Sequence, residues 1–206
     1  MEKNFIEENY VKEEVKVNAI WANVFGLIVL AIAVILFGVP FFLIWLRNYP
    51  VSRLINTSMS LQARLMNVAV ALLILIPGIV AHELIHGIFF ALFAENKYKS
   101  LKFGIMPASG LFSPYCHCRD KLRINHYRIA GIMPLIILGI VPAVISIIIV
   151  NLLLLYFGIL FTAAAAGDIL MLTKTLKEKK DAWIFDSPTN IGFVVYRPIA
   201  IKNQNR

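Results

Sequence analysis

The sequence predicts an all-α integral membrane protein: four transmembrane helices, with one cytoplasmic-side loop that forms a short hairpin or a re-entrant segment. Three observations predict it. Of the 206 residues, 59% are hydrophobic and only 16% are charged, against roughly a quarter charged in an ordinary soluble domain. The apolar residues are gathered into long runs without charge, and the few ionisable groups inside those runs are clustered. Disorder, collagen and coiled coil need other compositions. Two cysteines, Cys116 and Cys118, do not make a disulfide scaffold.

The first 16 residues are charged and mixed in sign, without a clean apolar face. They read as a solvated cytoplasmic tail (1–16) and not as a cleavable signal. The membrane-embedded part is expected over 17–173. Val17 to Leu46 carries no charge, which gives a span at about 20–43. Leu65 to Ala94 holds only His82, Glu83 and His86 as ionisable residues, and gives a span at about 67–92. Ile129 to Thr173 holds a single charge, Asp168. As one helix that stretch would be roughly 68 Å long, about twice the hydrocarbon thickness, so it must fold back once. Asn151 is the natural turn, with spans at about 129–149 and 153–173. Residues 174–206 form a cytoplasmic tail.

Orientation follows from the Lys and Arg residues. With both termini cytoplasmic, 17 of the 20 face the cytoplasm and three (Arg47, Arg53, Arg64) face outward. In a soluble protein a net charge of +8 would raise the question of nucleic acid. Here the charge orients the chain in a cell membrane, and no nucleic-acid partner is expected. The loop from Glu95 to Arg128 contains Gly104, Pro107, Gly110 and Pro114, which punctuate short apolar pieces.

His82-Glu83-Leu84-Ile85-His86 matches H-E-x-x-H. On a helix, positions i and i+4 share a face, so both imidazoles reach one ion. Glu83 lies on the flank of that face, where a carboxylate touches a water on the metal without binding the metal. Three ionisable groups within five residues of a span need a shared reason. A catalytic zinc takes a third protein ligand, and Asp168 is the remaining intramembrane charge. Asp168 lies roughly 9 Å and His86 roughly 13 Å from the cytoplasmic ends of their spans, so their depths agree within a helical turn. The plainer alternatives are two packed neutral histidines and a carboxylate that snorkels or hydrogen-bonds near a helix end. The small residues Ala163 to Gly167 read as a close-packing face between the second and fourth spans.

His82-Glu83-Leu84-Ile85-His86-Gly87, with Gly167-Asp168-Ile169-Leu170 in the last span, resembles the site-2 protease type of intramembrane metalloprotease. With Pro114-Tyr115-Cys116 and Asp186-Ser187-Pro188-Thr189-Asn190-Ile191-Gly192-Phe193 it is still more similar to a bacterial family of small membrane proteins, the putative zincin peptidases. The resemblance covers about residues 65 to 197. It implies a membrane-embedded endopeptidase with one zinc per chain, His82, His86 and Asp168 as ligands and Glu83 as base. It also implies a membrane-bound or juxtamembrane peptide as substrate. Small membrane proteins of this kind often pair, so a homodimer is admissible. Site-2 proteases carry an Asn and a Pro shortly before the third ligand; here Ala163 to Ala166 stand there. A degenerate, non-catalytic zincin that binds metal or a partner protein is the alternative.

Cys116-His117-Cys118 reads in three ways: an ordinary loop, a loop that brings His117 near the zinc, or a second metal site. Pro77-Gly78 is a plain kink or one that opens room for water and substrate. His126 reads as interfacial, and Asn190 is a candidate oxyanion donor from the tail.

Overall fold

Backbone polar groups buried in hydrocarbon must be satisfied within the chain, and every long apolar run here is helical. The computed structural model describes residues 10–48, 60–108, 111–187 and 192–199. The first apolar helix, α1, runs through Ala19–Ala33, a π-helical turn Val34–Gly38, and Val39–Asn48. Asn18 caps it, its Oδ1 accepting from the N–H groups of Ile20 and Trp21. Helix α2 is Leu61–Phe93. Helix α3 runs through Ile124–Pro134, a π-helical turn Leu135–Ile140, and Val141–Ile149. Helices α4 (Leu152–Ala164) and α5 (Ala166–Thr175) follow. Both π turns end two residues before a proline, Pro40 and Pro142. Proline lacks an N–H and crowds the carbonyl four residues back, and a wider π turn relieves that crowding.

Among the described residues, three helices are long and apolar enough to cross a membrane: Ile20–Arg47, Leu61–Phe93 and Ile124–Ile149. The pair α4 and α5 makes a fourth if counted as one span, bent by 43°. The expected spans at 20–43, 67–92, 129–149 and 153–173 fall within these helices, and the last is broken. The fold-back is at Asn151: Val150 is left-handed (φ 53°), and Asn151 Oδ1 accepts from the N–H of Leu154 at 2.9 Å.

The chain divides into two compact units. The helical unit comprises 23–85 and 133–167. Its core joins Ala33, Phe37 and Phe41 of α1 to Ala143 of α3 and to Leu155 and Ile159 of α4. At Gly158 a Cβ would lie 2.5 Å from the backbone nitrogen of Ala143, so α3 and α4 meet backbone to backbone. Leu27, Ile35, Leu73 and Ile148 are exposed, an apolar surface that suits lipid.

The second unit comprises 1–22, 86–132 and 168–206, and it corrects the all-α expectation. Four strands form an antiparallel sheet in the order β1 (Tyr10–Lys16), β6 (Gly192–Pro198), β5 (Trp183–Asp186), β4 (Leu122–Arg123). A separate hairpin pairs β2 (Leu101–Ala108) with β3 (Leu111–Cys118). Strand β6 is apolar on both faces. Phe193 and Val195 pack with Phe90, Leu122, Tyr127 and Ile184, while Val194 and Tyr196 face Tyr10, Trp183 and Phe185. Of the segment expected as a solvated tail (1–16), the described residues Tyr10–Lys16 are largely exposed, yet they form edge strand β1. Its Glu13 and the helix-end Glu178 are both bound by Arg197 of β6. Gly192 has φ +155°, and a Cβ there would lie 2.1 Å from the carbonyl oxygen of Val15, so the β1–β6 pairing begins on a residue that must be glycine.

Candidate metal centre

His82 and His86 lie one turn apart on α2, and both are buried, at 8% and 6% exposure. Leu84, between them in sequence, points away and is exposed. Glu83 is half-buried on the flank of the histidine face. His86 Nδ1 lies 3.0 Å from the carbonyl oxygen of Ala130 on α3. That carbonyl can only accept, so Nδ1 carries the proton and the Nε2 lone pair is left for a metal.

His86 Nε2 lies 3.2 Å from Asp168 Oδ1. One ligand atom from each of His82, His86 and Asp168 lies within 4.8 Å of the others. A tetrahedral ion with bonds of 2.0–2.1 Å holds its ligand atoms roughly 3.3 Å apart. Two imidazole nitrogens and a carboxylate oxygen at this spacing fit a divalent metal of the zinc type.

A break in the last apolar run positions Asp168. Ala165 leaves the helix (ψ 6°), and α5 starts again with Asp168 in its first turn. Unpaired N–H groups at a helix start favour a carboxylate there. The Ala163–Gly167 run, expected as a packing face toward the second span, thus serves as the break. Its Ala166 lies toward Gly26 of α1, 3.9 Å from where a Cβ on that glycine would be. Arg128 of α3 holds the far end of α5, donating to Thr175 Oγ1 and to the carbonyls of Thr175 and Glu178. One helix therefore fixes the ring of His86 through Ala130 and the end of the Asp168 helix through Arg128.

The β2–β3 hairpin lies on α2 at Gly87, the residue after His86. A Cβ there would come within 2.7 Å of the Phe103 ring and 3.3 Å of Cys116 Sγ. Side chains alternate along a strand, so Cys116 and Cys118 are buried while His117 turns the other way and stacks on Tyr115 at 4.2 Å. Alternation answers the question left by Cys-His-Cys. The three residues do not converge, neither cysteine is in a disulfide, and among the described residues only His82, His86 and Asp168 group at metal-binding spacing. His126 stacks on Phe93 at 4.3 Å. At Gly78 the room beside Pro77 is filled by the Phe161 ring, 2.3 Å from where a Cβ would stand. Asn190 lies outside the described residues.

Asp186 opens the tail stretch that carries the family resemblance, and the sequence assigns it no role of its own. Its Oδ1 accepts from the Tyr127 hydroxyl at 2.8 Å and its Oδ2 from the N–H of Cys118 at 2.9 Å. It thereby ties β5 to α3 and to the hairpin. Burial raises its carboxyl above the ordinary carboxylate range, against the pull of His117 and of both hydrogen bonds. Besides that stretch, its signal in sequence is an acid closing the apolar strand Trp183–Asp186. The role of Ala130 had no signal, because it is played by a backbone carbonyl.

A family model described as putative zincin peptidase matches residues 72–183, a stretch that contains His82, His86, the hairpin and Asp168. No curated protein and no solved structure matches the chain.

Proposed function

The chain belongs to the putative zincin peptidase family, and from that premise we propose that it is a zinc-dependent endopeptidase built into the membrane. His82, His86 and Asp168 hold one zinc per chain. Bound there, zinc supplies a Lewis acid that acidifies water and polarises a peptide carbonyl. Glu83 takes the proton of the attacking water and passes it to the leaving amine. Ala130 keeps His86 in the tautomer a ligand needs. The carrying observation is the 3.2 Å approach of His86 and Asp168, residues far apart in sequence, with His82 inside the same 4.8 Å group.

The substrate is a membrane-bound peptide presented in extended form, since a helix hides its carbonyls. The hairpin beside His86 offers strand edges to hold it. The resemblance to site-2 proteases supports cleavage at or within the bilayer.

The sheet pairings favour four crossings with both termini on the cytoplasmic side. Strands β1 and β6 pair, and β4 pairs with β5 in the same sheet. The N-terminal strand, the second loop and the tail therefore share one side. An even number of crossings between them fits this pairing, which supports reading α4 and α5 as one broken span. The Lys and Arg distribution puts that side in the cytoplasm.

Elemental analysis of the detergent-purified protein tests the site. About one zinc per chain is expected, lost in Asp168→Ala and in the His82→Ala, His86→Ala double variant. A wild-type protein without metal after chelator-free purification overturns the reading.

A further inference from the structure

A cavity of about 300 Å³ opens between the β2–β3 hairpin and the end of β5, and the metal-site residues do not line it. Lys102, Tyr115, His117, Arg119, Phe185 and Asp186 form its wall. Lys102 and His117 are cross-strand partners, and Gly104 faces Tyr115. These four share the hairpin face opposite Phe103 and Cys116, which lie on α2. The cavity thus draws mainly on one face of the hairpin and the α2 contact on the other, with Cys118 of the buried face also at the cavity wall.

The charges of this wall are uneven. Lys102 and Arg119 each bring a cation, and neither is paired with an acid among the described residues. Elsewhere in the same unit cations are engaged: Arg197 with Glu13 and Glu178, Arg123 over Trp183, Lys121 over Tyr196. The one acid of the wall, Asp186, already accepts from Tyr127 and Cys118. Desolvation, aided by Lys102 and opposed by Asp186, holds His117 below its ordinary value, so at neutral pH it offers one N–H and no charge. Tyr115 carries a hydroxyl donor. Two cations and two neutral donors thus outnumber the one acid of this wall, Asp186, whose oxygens are turned to Tyr127 and the Cys118 N–H.

We propose that this cavity binds a phosphate group between Lys102 and Arg119, with Tyr115 and His117 as neutral donors. A phosphate offers three or four oxygens and up to two charges, and takes charge-assisted hydrogen bonds from several directions. A carboxylate has two oxygens in one plane and leaves part of this wall unmet. Arg119 stands five residues before Ile124, where an apolar span begins. The site therefore lies near the membrane boundary, within reach of a lipid headgroup as well as of a soluble phosphate. The inference does not depend on the metal, since the cavity and the metal group share no residue.

The test uses the full chain in a maltoside detergent free of phosphorus. One arm adds inorganic phosphate, against chloride at equal ionic strength, and reads the melting temperature. The other adds short-chain phosphatidylglycerol, against a diacylglycerol of equal chain length, and counts retained lipid by native mass spectrometry. Each arm is repeated with the Lys102→Ala, Arg119→Ala double variant and with the charge-keeping Lys102→Arg. The expected result is binding in at least one arm, weakened tenfold or more in the double variant and kept in Lys102→Arg. Zinc content and ligand-free melting should be unchanged in all three proteins. Binding of inorganic phosphate alone identifies a soluble ligand; binding of the phospholipid but not the diacylglycerol identifies a headgroup. No binding in either arm, or equal binding by wild type and double variant, overturns the proposal.

Discussion

Glu83 has a neighbour on each side of its role: His82 precedes it, and one helical turn separates that histidine from His86. Replacing the carboxylate by the isosteric amide in Glu83→Gln removes the proposed base while leaving His82, His86 and Asp168, the proposed ligands, in place. Peptide cleavage should fall by a factor of 100 or more, while zinc content stays near one per chain; undiminished cleavage would take Glu83 out of the mechanism. Cys118 makes a second residue-scale prediction. Burial pushes its thiol up to about 12, with Asp186 and Asp120 adding to the shift and a backbone hydrogen bond at Asp120 opposing it. The thiolate is the reactive form, so maleimide at pH 8 should label Cys118 at least a hundredfold more slowly in the folded protein than in detergent-unfolded chain. The linkage sign follows. The unfolded thiol ionises near 9 and the folded one near 12, so above pH 9 the unfolded state binds fewer protons. Stability is full below about pH 9 and is lost as pH climbs toward 12.

Helices here meet through glycine at their closest points. Gly158→Ala would drive a methyl group into the backbone of Ala143, 2.5 Å away, where no flexible side chain can yield. Overpacking of this kind costs about 1–3 kcal/mol, so the variant should melt several degrees lower with metal content retained. An unchanged melting temperature would mean that α3 and α4 pack less closely than described. At this scale the sequence was legible for helices and poorly legible for strands. Each span announced itself by a long apolar run with at most one acidic residue and no Lys or Arg, and Asn151 by its place in the middle of one. Strand β1 has Glu and Lys on a mostly exposed edge, so it shows no alternation between core and solvent to read. Strand β6 is apolar on both faces for the opposite reason, and a short apolar run is ambiguous by itself. The Ala163–Ala166 run carried no sign of a break, because alanine is the best helix former; the break at Ala165 is a tertiary outcome. The candidate metal group was legible because ionisable residues are so scarce in the spans. Its supports, the Ala130 carbonyl and the Arg128 clamp, depend on contacts that no local pattern encodes.

At the scale of the whole molecule, the four-stranded sheet gathers chain segments that the membrane spans separate. If it lies on the cytoplasmic side, single cysteines introduced at Lys12 and at Lys177, in a chain lacking Cys116 and Cys118, should both be labelled by an impermeant maleimide only after the cells are opened. Labelling of one from outside intact cells would contradict the shared side. The pairing of β1 with β6 also has a consequence for how the protein is made. Lys16 pairs with Gly192, so the first strand emerges from the ribosome long before its partner, with all the residues between them still to be made. Translation at roughly 5–20 residues per second leaves β1 waiting for on the order of 10–35 s. All the apolar helices are synthesised during that wait, so membrane insertion precedes closure of the sheet. A chain cut short before Gly192 would be inserted and still unfinished, with Val15 and its neighbours left as an open edge for proteases and for other chains.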